Sequence, residues 1–200
     1  MSDYHLRQCA MHTCNLRYPA CNQSSEPHLC PVCGAETQHV ADSVVGGEGI
    51  FQKPSLELDV ILDNIRSLYN VGSIVRTADG AGVRHAHLCG ITAPLDHPKL
   101  QKTALGAVAN LPWSYHTNGL VHAQELKDQG YELWSLEDTA QAENVFAADL
   151  SSRVARPLAI VVGNEIVGVD PAIVALSDRV FKIPMYGVKD SLNVAVAFVV

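Results

Sequence analysis

The chain has 200 residues, of which 48% are hydrophobic and 18% charged, with a formal net charge of −7. This composition suits a globular protein with room for one sizeable core and a small appendage. It excludes a membrane span, which needs roughly 20 apolar residues in a row, and "MSDYHLRQCAMHTC" lacks the apolar centre of a signal peptide, so the cytoplasm is the expected compartment.

Five of the six cysteines fall within the first 33 residues. The spacing is Cys9-x4-Cys14, then Cys30-x2-Cys33 in "CPVCG". Paired cysteines at such distances set two thiolate knuckles on one tetrahedral Zn²⁺, the pattern of a zinc ribbon. Cys21, His12 or His28 are alternatives for Cys9 or Cys14, and the competing reading is unlinked thiols or one redox Cys-x-x-Cys. Four thiolates would close the coordination shell, so the zinc is expected to be structural, supplying the folding energy that a segment this short cannot draw from a core. Residues 1–40 are therefore expected to be a metal-binding segment. The Gly-rich stretch 41–55, with Pro54, is expected to be a linker.

From residue 56 onward, short apolar runs alternate with helical patterns. Strands are expected at 56–62, 84–91, 131–137, 157–162 and 179–183, and helices at 70–82, 98–107, 120–129, 171–178 and 191–200. That alternation implies an α/β fold over 56–200, a mostly parallel sheet with helices on both faces. In "NVGSIVRTADGAG", Gly72, Arg76 and Gly80 recur at i, i+4, i+8, leaving the arginine on a ridge without neighbouring side chains. Asn70 is expected to cap that helix. "PLAIVVGNEIVGVDP" is a strand running into a glycine loop. It has neither the Lys-Ser/Thr of a phosphate-binding loop nor a dinucleotide fingerprint, so a Rossmann-type oxidoreductase is excluded. In the last segment Ser191 is expected as a helix N-cap with Asn193 in the first turn. The helix that follows is apolar all round and stops abruptly at Val200, which implies docking or truncation.

Three segments in order, "DNIRSLYNVGSIVRTADGAGV", "IVVGNEIVGVD" and "KIPMYGVKDSLNVAVA", resemble the motifs of the SpoU/TrmH branch of the SPOUT RNA methyltransferases, and "KTALGAV" between the first two also fits. "CNLRYP" followed by "CPVCGAET" is similar to a zinc-ribbon extension found in some members. The resemblance implies a C-terminal trefoil knot, S-adenosylmethionine bound in the knotted loops, methylation of a ribose 2′-hydroxyl in tRNA or rRNA, and a homodimer. It implies cofactor contacts at Leu136, Gly163, Ile183 and Leu192. Arg76 matches the catalytic arginine, with Asn70, Glu165, Ser191 and Asn193 as its companions. The family role for Arg76 is general base. Because a guanidinium stays protonated, a second role is to hold phosphate through its bidentate fork and stabilise the developing alkoxide. The alternative to an enzyme is a non-catalytic RNA- or cofactor-binding protein that keeps the fold.

The remaining residues carry weaker signals. The acidic balance requires any RNA surface to be local, and Arg66, Arg84, Lys99, Lys102, Arg153 and Arg156 are candidates for it, with Arg7 and Arg17 extending it from the ribbon. His85 and His87 alternate on an expected strand with no carboxylate evident nearby, which favours a structural role. Trp113 and Tyr115 read as core or interface, and Cys89 as a small core residue.

Overall fold

A computed structural model of the chain describes residues 4–21, 28–42, 56–100, 107–149 and 156–200. The chain divides into two compact units, Met1–Gln52 and Lys53–Val200.

In the first unit, β1 (Tyr4–Cys9), β2 (Arg17–Cys21) and β3 (Thr37–Asp42) form an antiparallel sheet in the order β2-β1-β3. Among its described residues only His5, Cys9 and Cys30 are buried. Apolar burial therefore contributes little here. Sequence reading identified the cysteines but not these strands, whose faces show no apolar alternation because almost nothing is buried behind them. Most of the expected linker lies outside the described residues, and β3 runs into its first two positions.

The second unit has a seven-stranded sheet built from β4 (Leu58–Asp63), β5 (His85–Cys89), β6 (Trp113–His116), β7 (Glu132–Leu136), β8 (Glu143–Asn144), β9 (Leu158–Val162) and β10 (Arg179–Lys182). The order is β6-β5-β4-β9-β7-β10-β8 and every neighbouring pair is parallel. α1 (Leu68–Gly80) lies on one face; α2 (Gly119–Asp128) and the short α3 (Pro171–Leu176) lie on the other. Strand alternation feeds both layers. Val60, Leu62, Ala86 and Leu88 meet Val71, Ile74, Val75 and Ala78 of α1. Ile61, Cys89, Ala159 and Val161 meet Ala123, Leu126 and Ile173. Each fully buried Ile or Val contributes about 1.5–3 kcal/mol relative to exposure.

The five expected strands of this unit and four of its five expected helices are present with shifted ends, and two strands were missed. β6 and β8 are edge strands of four and two residues, too short and too exposed to show a period. The helix expected at 98–107 lies mainly outside the described residues, with a single 3₁₀ turn at Ala107–Ala109. The helix expected at 191–200 is the short α4, Val194–Ala197. Its cap is Asn193, whose side chain accepts from the Ala195 N–H at 2.9 Å. Ser191 instead lies outside the helix with its hydroxyl on Asp190 at 3.3 Å. Asn70 is likewise not a cap: Ser67 caps α1, accepting from the Asn70 N–H at 3.4 Å.

Arg84, a candidate for an RNA surface, is exposed, but its guanidinium is engaged within its own chain. Its guanidinium meets Glu57 at 2.7 Å, Asp59 at 3.2 Å and the Tyr131 hydroxyl at 2.6 Å. Burial pushes the Asp59 carboxyl up, but His87, Arg84 and Tyr131 donate to it and hold it at about 2.

The α1 interface predicts a specific cost. Ile74→Ala leaves a cavity between α1 and β4 and should destabilise the protein by about 2–5 kcal/mol, read as a lower urea midpoint at unchanged slope.

Candidate active site

Parallel strands bring their carboxyl ends to one edge of a sheet, where ligands of such folds bind. Here the ends of β7, β9 and β10 and the segment before α4 enclose a cavity of about 400 Å³. Its apolar wall includes Leu136, Val162, Ile183, Met185 and Leu192. Four acidic residues, Glu137, Asp138, Glu165 and Asp190, line it with one lysine, Lys182, which pairs with Asp138 at 3.4 Å.

The loop after β9 is a closed turn. The backbones of Asn164 and Gly168 exchange two hydrogen bonds of 2.9 Å. The Asn164 side chain accepts from Ile166 N–H at 2.9 Å and donates to the Asn64 carbonyl at 2.8 Å. A Cβ on Gly163 would strike the backbone of Gly168 and Val169, so this position admits only glycine without moving the turn. Gly168 has a φ of +76° and packs against the Glu137 carboxylate, which accepts the Val169 N–H at 2.7 Å.

From that loop Glu165 reaches the start of α1. Its carboxylate accepts from the Arg66 N–H at 2.9 Å, the Ser67 N–H at 3.0 Å and the Asn70 amide at 2.9 Å. Those donors sit at a helix N-terminus, where the dipole also favours negative charge. The Asn70 carbonyl oxygen then accepts from the Asn193 amide at 3.1 Å. One chain of hydrogen bonds thus joins the β9 loop, the first turn of α1 and the cap of α4. Burial pushes the Glu165 carboxyl up, but the two backbone amides and Asn70 outweigh it and hold it below the usual carboxylate range.

Of the residues expected at a site, Leu136, Gly163, Glu165, Ile183, Ser191, Leu192 and Asn193 line this cavity. Asn70 stands directly behind it through Glu165 and Asn193. Arg76 does not: it lies on the exposed side of α1, about 9 Å farther along the axis than Asn70 at 1.5 Å per residue. The bare ridge is also only partial. Gly72 is buried while Arg76 and Gly80 are exposed, because each four-residue step overshoots a turn by about 40°. Sequence reading missed Glu137, Asp138, Asn164, Lys182, Met185 and Asp190. Several of these adjoin residues that were singled out, and their position just past strand ends was the available signal. Lys102 and Arg153 lie outside the described residues.

In the N-terminal unit, one sulfur from each of Cys9, Cys14, Cys30 and Cys33 lies within 4.8 Å of the others, and Cys21 is not among them. The Cys9–Cys33 and Cys14–Cys30 sulfurs are 3.4 and 3.7 Å apart. Both distances are far longer than a disulfide bond of about 2.05 Å and near the roughly 3.8 Å edge of a tetrahedron with 2.3 Å metal–sulfur bonds. Burial opposes ionisation of Cys30, yet the backbone amides of Cys33 and Val32 draw its thiol down to about 7.

Residues 57–200 match the SpoU rRNA Methylase family. A Staphylococcus haemolyticus protein named for the TrmH family of tRNA/rRNA methyltransferases is 36% identical over 72% of this chain and 56% of its own length. The tRNA (guanosine(18)-2'-O)-methyltransferase of Aquifex aeolicus is 30% identical over 74% of this chain and 68% of its own. An AdoMet-bound rRNA methyltransferase structure from Sinorhizobium meliloti superposes with a TM-score of 0.64 at 27% identity, covering 71% of this chain and 52% of that one. The chain thus spans between about half and two thirds of the length of these relatives.

The Glu165 bonds predict a pH-dependent stability. A carboxyl held below its unfolded value stabilises fully above that value, near 4.3, and its contribution is lost as pH falls through the lower folded value. Glu165→Gln should lower stability at neutral pH by about 1 kcal/mol, the worth of a partly solvated charged hydrogen-bond set. Urea titrations of both proteins should converge as the solution is acidified below about pH 4.

Proposed function

Because the chain belongs to the SpoU methylase family, we propose that it is an S-adenosylmethionine-dependent methyltransferase acting on a ribose 2′-hydroxyl of tRNA or rRNA. The observation that carries this reading is the hydrogen-bonded chain Glu165–Asn70–Asn193, which brings three separate sequence motifs to the rim of one cavity. The cavity suits the cofactor. Its apolar side, with Leu136, Ile183 and Leu192, accepts a purine, and its excess of carboxylates suits a ligand bearing a sulfonium and an ammonium. When bound, S-adenosylmethionine supplies an electrophilic methyl group.

The protein's own part is to position and to stabilise charge. Gly163 and the closed turn after it keep the cavity wall fixed, and Glu165 locks that turn to α1. Ser191 and Asn193, at the rim, orient the incoming sugar. Holding the reacting groups in line converts an encounter into a unimolecular step, worth several kcal/mol. Arg76 grips the adjoining phosphate and stabilises the oxyanion as the hydroxyl proton leaves.

Arg76 lies outside its own chain's cavity, which supports a homodimer in which each copy supplies the arginine to the other. Exposed apolar side chains support the same reading: Tyr69 on α1 is 70% exposed, and Ile166 and Val167 on the cavity loop are 72% and 78% exposed. An isologous pairing would bury such groups twice over. The C-terminal segment is read as the threaded strand of a trefoil knot. The four cysteines are read as a structural Zn²⁺ site of a ribbon covering residues 1–40, followed by a linker, and the protein as cytoplasmic. Among the described residues no helix is long and apolar enough to cross a membrane.

Incubation with methyl-labelled cofactor and total RNA, followed by nucleoside mapping, should yield a 2′-O-methylated nucleotide; label on a base, or none, would reject the assignment. Arg76→Ala should abolish transfer while cofactor binding survives. Co-expressing Arg76→Ala with Leu192→Arg, each inactive alone, should restore about a quarter of wild-type activity, since half the dimers would be mixed and carry one intact site. An arginine acting within its own chain would restore nothing. Cys30→Ser should lose one equivalent of bound zinc, measured as metal content, and expose residues 1–40 to protease.

A further inference from the structure

A second cluster of titratable side chains lies away from the cavity, on the sheet face that carries α2 and α3. His85 and His87 alternate with Ala86 and Leu88, which pack toward α1. The histidines therefore point to the other face, where His116 of β6 and His122 of α2 meet them. Ligand nitrogens of His87, His116 and His122 all lie within 4.8 Å of one another. His87 and His122 are 6% and 7% exposed and His116 is half-buried. The alternation of His85 and His87 read as structural in the sequence because the three converging rings sit on different elements and the carboxylate partner of His87 is Asp59 on the adjacent strand.

The hydrogen bonds turn two ring nitrogens of the cluster toward each other. His87 Nε2 lies 3.4 Å from the Asp59 carboxylate and His122 Nδ1 lies 3.1 Å from that of Glu125. A carboxylate accepts, so each ring places its proton there. The opposite nitrogens, His87 Nδ1 and His122 Nε2, then face each other at 2.9 Å with two lone pairs. A metal cation between them relieves that repulsion, as does a proton on either nitrogen. A shared proton would serve two nitrogens, but a third ring converges as well. His116 stacks on His122 at 3.4 Å, and its Nε2 lies 2.8 Å from the Ser114 hydroxyl, which is itself 3.4 Å from His87 Nδ1. A histidine whose far nitrogen is anchored on a carboxylate is the usual arrangement around a bound transition metal, where the anchor fixes the ring and raises its basicity.

We propose that His87, His116 and His122 form a binding site for a divalent transition-metal ion of the Zn²⁺ class, with Asp59 and Glu125 anchoring two of the rings. Neutral imidazoles suit zinc, nickel and copper rather than magnesium or calcium. Three protein ligands would leave a fourth position open. The ion would tie the edge strand β6 to β5 and to α2.

The test is metal content and cobalt spectroscopy on the full chain. The cysteine quartet, if loaded, gives intense thiolate-to-cobalt charge-transfer absorption, whereas imidazole ligation gives only weak visible bands. Metal-depleted Cys30→Ser/Cys33→Ser protein titrated with Co²⁺ alone should take up one equivalent, with visible bands and no thiolate absorption. Adding His116→Gln, a change at the half-buried ring, should remove that equivalent. In the otherwise wild-type chain, His116→Gln should lose the imidazole bands, keep the thiolate absorption of the separate cysteine unit and still unfold cooperatively in urea, which shows that the α/β unit is folded. Absence of stoichiometric Co²⁺ binding in the cysteine variant, or binding that survives His116→Gln with His122→Gln, would overturn the proposal and leave a proton-bridged histidine network.

Discussion

The carboxylate of Glu165 is the point on which the site depends. Two backbone amides at the start of α1 and the Asn70 carboxamide converge on it, and Asn70 passes the connection to Asn193. The donors at residues 66–70 are distant in sequence from both Glu165 and Asn193, so the bonds form only when the parallel sheet has assembled and set the ends of β4, β9 and β10 along one edge. The sheet does the positioning and the hydrogen bonds hold the register. Without Glu165, the amides at the helix N-terminus would turn to water and the β9 loop would lose its tie to α1. Family membership and cavity chemistry both gain their meaning from this connection, because it makes a single concave site out of three motifs.

Much of the α/β unit was legible from its sequence because its strands are buried on two faces. "PLAIVV" and "LELDVIL" read as strands from apolar runs alone, and the burial of β4 and β9 explains why. β6 and β8 escaped because edge strands this short bury too little to leave a pattern. Capping was misassigned twice for one reason: Asn70 and Ser191 are cap-type residues, but Ser67 and Asn193 stand where the backbone turns, and sequence shows the residue type without the dihedral angle. The residues around the cavity were legible through motif resemblance. Their mutual hydrogen bonds were not, since separations such as that between Asn70 and Asn193 carry no local signal. The position of Arg76 outside its chain's cavity could not have been read at all from spacing, because it depends on how far α1 extends past the site.

The two units solve stability differently. Lys53–Val200 has two apolar layers packed on a parallel sheet. Met1–Gln52 has a three-stranded sheet with three buried side chains among its described residues, two of them cysteines. A unit so poor in apolar burial needs another source of cohesion, and four converging sulfurs offer one. The histidines on the far face of the larger sheet make a related point: an array of buried polar rings is costly unless each donor and acceptor is satisfied, and theirs are turned toward one another and toward Asp59, Glu125 and Ser114.

The most direct measurement of the central claim is a double-mutant cycle between Asn70 and Glu165, read by calorimetric binding of S-adenosylhomocysteine to Asn70→Ala, Glu165→Ala, the double variant and the unaltered protein. If the clasp shapes the donor cavity, each single change weakens binding and the double change costs less than their sum, with a coupling of about 1 kcal/mol or more. Strictly additive losses, or binding indifferent to both changes, would contradict the account.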